Sequence, residues 1–128
     1  MIKILIANDE RATVKLLERV IQRQPDMTCV GNASNGEEAI RKAQAFRPDV
    51  VLMDLMMPKI DGIEASKLIH STVPNTRIIV TTARGDYTQR ALNAGARQVL
   101  TLPLLEDDIV RTIREVANAE KKTGELSE

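Results

Sequence analysis

Aromatic side chains are almost missing from this chain: Phe, Tyr and Trp make up 2% of its 128 residues, with one Phe, one Tyr and no Trp. A flavin held between stacked rings is therefore poorly supplied. Cysteine is as scarce. The single Cys29 sits in the apolar-leaning stretch 27–30, excludes an internal disulfide, fits a reducing compartment and reads as a buried structural thiol. Charge of one sign is lacking too. Lys plus Arg and Asp plus Glu both total 18, for a net charge of +0, so no overall field draws the chain to nucleic acid or to an anionic membrane. Any DNA contact in the system would fall to another domain. Long apolar runs are absent, because residues 1–7 turn polar at Asn8-Asp9-Glu10, too soon for a signal peptide or a membrane span. A cytoplasmic protein without membrane contact is expected. Six glycines are scattered rather than gathered into a phosphate loop, and no zinc spacing, Gly-x-Ser-x-Gly elbow or internal repeat occurs. Nucleotide, structural-zinc and serine-hydrolase readings lose their motif support.

What is present is an ordinary globular composition, 43% hydrophobic and 28% charged, in a length suited to one domain. Short runs rich in Val, Ile and Leu alternate with amphipathic stretches, which predicts a parallel sheet with helices between its strands. The predicted strands are 2–7, 28–33, 50–53, 77–81 and 98–101. The helices show apolar residues at helical spacing: Val14, Leu17 and Ile21; Ala39, Ala43 and Phe46; Leu68 and Ile69; Tyr87, Ala91 and Leu92; Ile109, Ile113, Val116 and Ala117. Asp61, with Glu64 three residues on, has the chemistry of an N-cap, and Gly95 that of a helix stop. Right-handed crossovers put helices on both faces of a five-stranded flavodoxin-like (βα)5 sheet of order 2-1-3-4-5. The domain is expected over residues 1–120, with 121–128 as a polar tail or the start of a linker.

In such a sheet ligands bind beyond the carboxyl ends of the strands. Asn8-Asp9-Glu10 follows the first strand, Asp54 the third, Thr81-Thr82 the fourth and Leu102-Pro103 the fifth. Neighbouring first and third strands would let Asp9 and Asp54 share a cation. Two carboxylates with room for water suit Mg2+ better than zinc or calcium. An Asp carboxylate can attack phosphorus to give an acyl phosphate, with a divalent ion offsetting the charge. Taken alone, Asp54 is equally a loop carboxylate that ends a strand.

The segment Val50-Val51-Leu52-Met53-Asp54-Leu55-Met56-Met57-Pro58-Lys59-Ile60-Asp61-Gly62 resembles the phosphorylation-site segment of response regulator receiver domains: an apolar strand, Asp, Met-Pro, then Asp-Gly. The likeness extends from Ile2 to about Ala117 and takes in Ala7-Asn8-Asp9-Glu10, Asn35-Gly36-Glu37-Glu38-Ala39 and Ala91-Leu92-Asn93-Ala94-Gly95-Ala96. It implies that Asp54 accepts a phosphoryl group from a histidine kinase or a small phosphodonor with Mg2+. It also implies Thr82 as the switch hydroxyl, Thr81 being a packing residue of the strand end. The metal ligands by the same likeness are Asp9, Asp54 and the backbone carbonyl of Met56, with Asn8 acting weakly through a water.

The chain departs from the family pattern in several places. Asn8 replaces an acidic residue, which keeps a carbonyl oxygen but removes a charge and so predicts weaker metal binding. Leu102 stands where receivers carry a lysine before proline, which removes a charge-assisted contact worth roughly 1.5–3 kcal/mol. Val99 replaces the usual switch aromatic. Tyr87, near the start of the fourth helix, either contributes to the same face or packs the helix, with packing the preferred reading. The leucines 102, 104 and 105 are either a partner surface or a small satellite cluster. The Leu102-Pro103 bond has trans as its default, although the resemblance admits cis. His70 is expected on the surface, and in Arg84-Gly85-Asp86 the aspartate is expected to cap the fourth helix.

Two functions compete. One is a phospho-accepting receiver that signals through the face from the fourth to the fifth helix and is not a free-standing enzyme. The other is a receiver-like interaction or dimerisation module independent of phosphorylation, favoured by the changes at Asn8, Val99 and Leu102. A homodimer and a fused output domain, DNA-binding or ATPase, are both compatible with the chain.

Overall fold

The computed structural model describes residues 1–126, with side chains through residue 119. The chain order is β1 (Ile2–Ala7), α1 (Arg11–Gln22), β2 (Met27–Ala33), α2 (Gly36–Phe46), β3 (Val50–Asp54), α3 (Gly62–Thr72), β4 (Arg77–Thr82), a 3-10 turn (Gly85–Tyr87), α4 (Thr88–Asn93), β5 (Gln98–Thr101) and α5 (Glu106–Leu126). The five strands form one parallel sheet in the order β2-β1-β3-β4-β5, as expected.

Near-continuous apolar strands are what a sheet covered on both sides requires. Alternation sends Leu5, Ala7, Val51, Met53, Ile78 and Val80 into one core, where α2 and α3 contribute Ala39, Ala43, Ala65 and Ile69. Ile4, Ile6, Val50, Leu52 and Ile79 enter the other, against Val14, Leu17 and Ile21 of α1 and Ile109, Ile113 and Val116 of α5. Each Val, Leu, Ile or Met side chain so removed from water contributes roughly 1.5–3 kcal/mol. Three residues expected on the apolar helix faces keep much of their surface in water: Phe46, Leu68 and Leu92. The Phe46 ring lies against Gly31 at the β2 edge, where a Cβ would stand 3.1 Å from it. Packing at the rim of the sheet needs only one side of the ring.

Strand bounds shift by a residue in three places, since β2 begins at Met27, β3 ends at Asp54 and β4 ends at Thr82. The ladder explains each shift: Met27 pairs with Ile2, Asp54 with Thr81, and Thr82 with Thr101. Asp61 does cap α3, its carboxylate accepting the Glu64 N–H at 3.0 Å. Asn35 caps α2 in the same way, at 2.8 Å. Gly95 follows α4 at φ 111°, a conformation that strains other residues. Cys29 is half-buried rather than fully enclosed, its thiol donating to the Gly31 carbonyl at 3.4 Å. Helix α5 continues to Leu126, past the expected domain end at residue 120; the tail residues 127 and 128 lie outside the described residues. Among the described residues no helix is long and apolar enough to cross a bilayer.

Candidate functional site

The strand ends form a row. Ala7 pairs with Met53, Asp54 with Thr81 and Thr81 with Leu100, so Asn8 and Thr81 flank Asp54 at the carboxyl edge of the sheet, and Thr82 and Leu102 follow one and two residues beyond that row. Asp54 is half-buried there. Its backbone turns over at once: the Leu55 N–H donates to the Thr81 carbonyl at 3.0 Å, and the Met56 N–H points back to Asp54 Oδ1 at 3.4 Å. The following loop packs tightly on α3. A Cβ on Gly62 would lie 2.5 Å from the Asp54 carbonyl oxygen and 2.7 Å from Leu55 Cα, so only glycine fits.

The Asp54 carboxyl is pushed up from 3.8 to about 6. Burial is the main cause, and the nearby charges of Asp9 and Glu10 add to it, against smaller opposing effects from the Met56 and Leu55 N–H groups. Asp9 is exposed and lines a groove of about 490 Å³ together with Met56, Met57, Asp61, Tyr87 and Arg90. It also borders a smaller cavity of about 130 Å³ on the α1 side, beside Asn8, Arg11 and Lys15.

The other expected residues are more constrained than their types suggest. Asn8 Oδ1 accepts the Glu10 N–H at 2.9 Å, a local turn that occupies one of its lone pairs. Thr82 is buried, and its hydroxyl oxygen accepts the Arg84 N–H at 2.9 Å. Its carbonyl accepts the Leu102 N–H, also at 2.9 Å. Thr81 is buried as well. Met56 is 63% exposed. Among the described residues no three His, Cys, Asp or Glu converge as a metal cage. What the edge offers is two carboxylates and main-chain oxygen, a donor set suited to a cation that keeps most of its waters.

Asp86 does not cap α4. Its carboxylate takes two bonds from the Arg84 guanidinium, at 3.1 and 2.9 Å, and a 3-10 turn leads into a helix whose N-cap, Tyr87, makes no side-chain cap bond. A bidentate charge-assisted pair two residues away outcompetes a single cap bond. Sequence reasoning also missed the surroundings of Tyr87. Its partly buried ring packs on the core and carries Arg84 on one contact and Arg90 on another, each 5.0 Å from the ring centroid. The available signal was Tyr87 and Arg90 at i,i+3. Val99 packs on the same core. Leu104 joins the opposite core, whereas Leu102 and Leu105 are 48% and 62% exposed, and the Leu102-Pro103 bond is cis. His70 is on the surface, against Gly95.

The model of the response regulator receiver domain matches residues 4–114. The chain belongs to this family. The receiver is 36% identical over 121 residues to the uncharacterized transcriptional regulatory protein YxjL of Bacillus subtilis, covering 93% of this chain and 56% of that protein. It is 41% identical over 106 residues to protein-glutamate methylesterase/protein-glutamine glutaminase 4 of Myxococcus xanthus, covering 80% of this chain and 30% of that protein. It thus spans about half or less of the length of these relatives. Among solved structures it resembles the response regulator domain of Thermotoga maritima CheB, with a TM-score of 0.86, 34% identity, and 92% and 97% of the two chains covered. It also resembles a chain of the CheX-CheY-BeF3-Mg2+ complex from Borrelia burgdorferi, with a TM-score of 0.83, 28% identity, and 89% and 87% covered.

Proposed function

We propose that this receiver accepts a phosphoryl group on Asp54 from a histidine kinase or a small phosphodonor and passes the event to the face formed by α4, β5 and α5. The observation that carries the reading is the Asp54 carboxyl itself: half-buried at a strand end and raised to about 6 by burial and by the neighbouring charges of Asp9 and Glu10. Neighbouring carboxylates of this kind favour a cation between them. Asp9, Asp54 and the Met56 carbonyl would hold Mg2+, with Asn8 acting through a water; the ion would offset the carboxylate charges and that of the incoming group. One Asp54 oxygen attacks phosphorus, the bond from phosphorus to the donor's leaving oxygen breaks, and the leaving group departs with that electron pair. The Borrelia relative, solved with BeF3 and Mg2+, supports both the ion and the phosphoryl site. Thr82 supplies the hydroxyl that turns toward the added group. The setting is cytoplasmic, and an output domain, DNA-binding or enzymatic, would act downstream, as the fuller relatives suggest.

Incubation with Mg2+ and acetyl phosphate followed by intact-mass measurement tests this. The expected result is one added phosphoryl group on the wild type and none on Asp54→Ala. No Asp54-dependent adduct with any donor would defeat it. A second reading, an interaction or dimerisation module independent of phosphate, draws on the exposed Leu102 and Leu105 at the end of β5. Sedimentation that is unchanged by beryllofluoride, together with unchanged resonances on that face, would favour it.

A further inference from the structure

The end of β5 carries Leu102, so the phosphoryl group proposed above would meet no ammonium from that strand. Other cations lie near the edge, and their contacts separate them. Arg84 is committed to the Asp86 carboxylate through two hydrogen bonds. Arg11 and Lys15 line the smaller cavity on the α1 side, with Glu18 among their neighbours. Arg90 differs from all of these. It is the one basic residue lining the larger groove, which it shares with Asp9, Met56 and Asp61. It is exposed, and among the described residues no carboxylate pairs with it; its guanidinium rests on the Tyr87 ring at 5.0 Å.

We propose that Arg90 is the phosphoryl-contacting cation of this receiver, moving from the Tyr87 ring to the phosphoryl oxygens on Asp54 and so taking the place of the lysine that Leu102 replaces. This rests on the phosphoacceptor reading of Asp54. The chemistry favours it on both sides of the exchange. A cation over an aromatic face at an exposed site is held weakly, whereas guanidinium donors fit phosphoryl oxygens in a fork and gain a charge-assisted contact. Tyr87 is then a built-in reporter, being the one tyrosine of a chain without tryptophan.

The test is a titration with beryllofluoride in Mg2+, followed by amide resonances and Tyr87 emission, on wild type, Arg90→Ala, Arg90→Lys, Arg84→Ala and the double variant Arg90→Ala with Leu102→Lys. Arg90→Ala should weaken half-saturation by about tenfold or more, the loss of one charge-assisted contact. Its melting temperature and its affinity for Mg2+ alone should stay the same. Arg90→Lys should recover part of the affinity, and Leu102→Lys in the Arg90→Ala background most of it. Tyr87 emission should change on saturation in the wild type and in Arg84→Ala. Wild-type saturation with Arg90→Ala unchanged overturns this inference alone, as does a loss that Leu102→Lys fails to recover. A wild type that takes up neither beryllofluoride nor a phosphoryl group on Asp54 overturns the phosphoacceptor reading and this inference with it.

Discussion

Replacing Asp54 by Asn should stabilise this domain at neutral pH and do so only there. The carboxyl titrates at about 6 in the fold, against the ordinary 3.8 that applies to the unfolded chain. Between those two values the native state holds a proton that the unfolded state has released, so stability falls as pH rises from about 3.8 through about 6 and stays low above it. Two pH units would correspond to roughly 3 kcal/mol. Asp54 is only half-buried, and solvent screening cuts that to about 1–1.5 kcal/mol. Asn has nearly the same shape and no charge at any pH. In chelator near pH 7.5, Asp54→Asn should therefore melt about 4–6 °C above the wild type. The difference should shrink across the window and approach zero near pH 4, where both side chains are neutral. Measuring it as variant minus wild type cancels the titration of the other carboxylates. A gain of the same size at about pH 4.5 and pH 7.5 would show that charge is not its source, and a loss at neutral pH would sink the account of the site.

Three further outcomes follow from the same geometry. Mg2+ should raise the melting temperature of the wild type at neutral pH and leave Asp54→Asn nearly unmoved, because a ligand stabilises only the state that binds it; equal shifts would place the ion elsewhere. Gly62→Ala should cost about 1–3 kcal/mol by denaturant titration and slow the labelling of Asp54, since its Cβ would stand 2.5 Å from the Asp54 carbonyl oxygen. Full wild-type stability in that variant would mean the loop yields freely. Burial pushes the Cys29 thiol up, so alkylation near pH 8 should be slower than that of a free thiol and should accelerate on unfolding; equally fast labelling in the folded chain would contradict it.

The sheet order and the position of Asp54 were legible because they rest on patterns that tertiary context rarely reverses. Buried parallel strands demand unbroken apolar runs, and short crossovers leave few topologies. Local competition between polar groups was much less legible. Asp86 has the chemistry of a cap, yet Arg84 offers it two charged donors; which bond wins depends on the path of the loop. The turn that the Asn8 side-chain oxygen closes on the Glu10 N–H was not visible either, and it leaves that oxygen a second lone pair. Phe46 and Leu92 have helical spacing, yet both sit at the rim of the core, where periodicity does not show how much of a side chain is covered. For Tyr87 packing was the preferred reading over a part in the switch face. Its ring does pack, and the face left over holds two guanidinium groups.

The hydroxyl of Thr82 bears on how far a phosphoryl group on Asp54 could be felt. Its oxygen takes the Arg84 N–H and its carbonyl takes the Leu102 N–H, both at 2.9 Å, so the loop before α4 and the end of β5 are tied to the same residue. For the hydroxyl to turn toward an added group, the Arg84 bond must be released, at a cost of roughly 1 kcal/mol. A modification shifts such an equilibrium only by what it gains in one arrangement over the other. In a receiver with lysine at the end of β5, a contact of roughly 1.5–3 kcal/mol exceeds that cost. Leu102 supplies none. The balance here then depends on the Thr82 hydrogen bond to the phosphoryl group and on whichever cation reaches it. On the proposed phosphoacceptor role of Asp54, acceptance of phosphate and movement of the α4 loop are therefore separable, and Leu102→Lys should strengthen the second while leaving the yield of Asp54 labelling as it is.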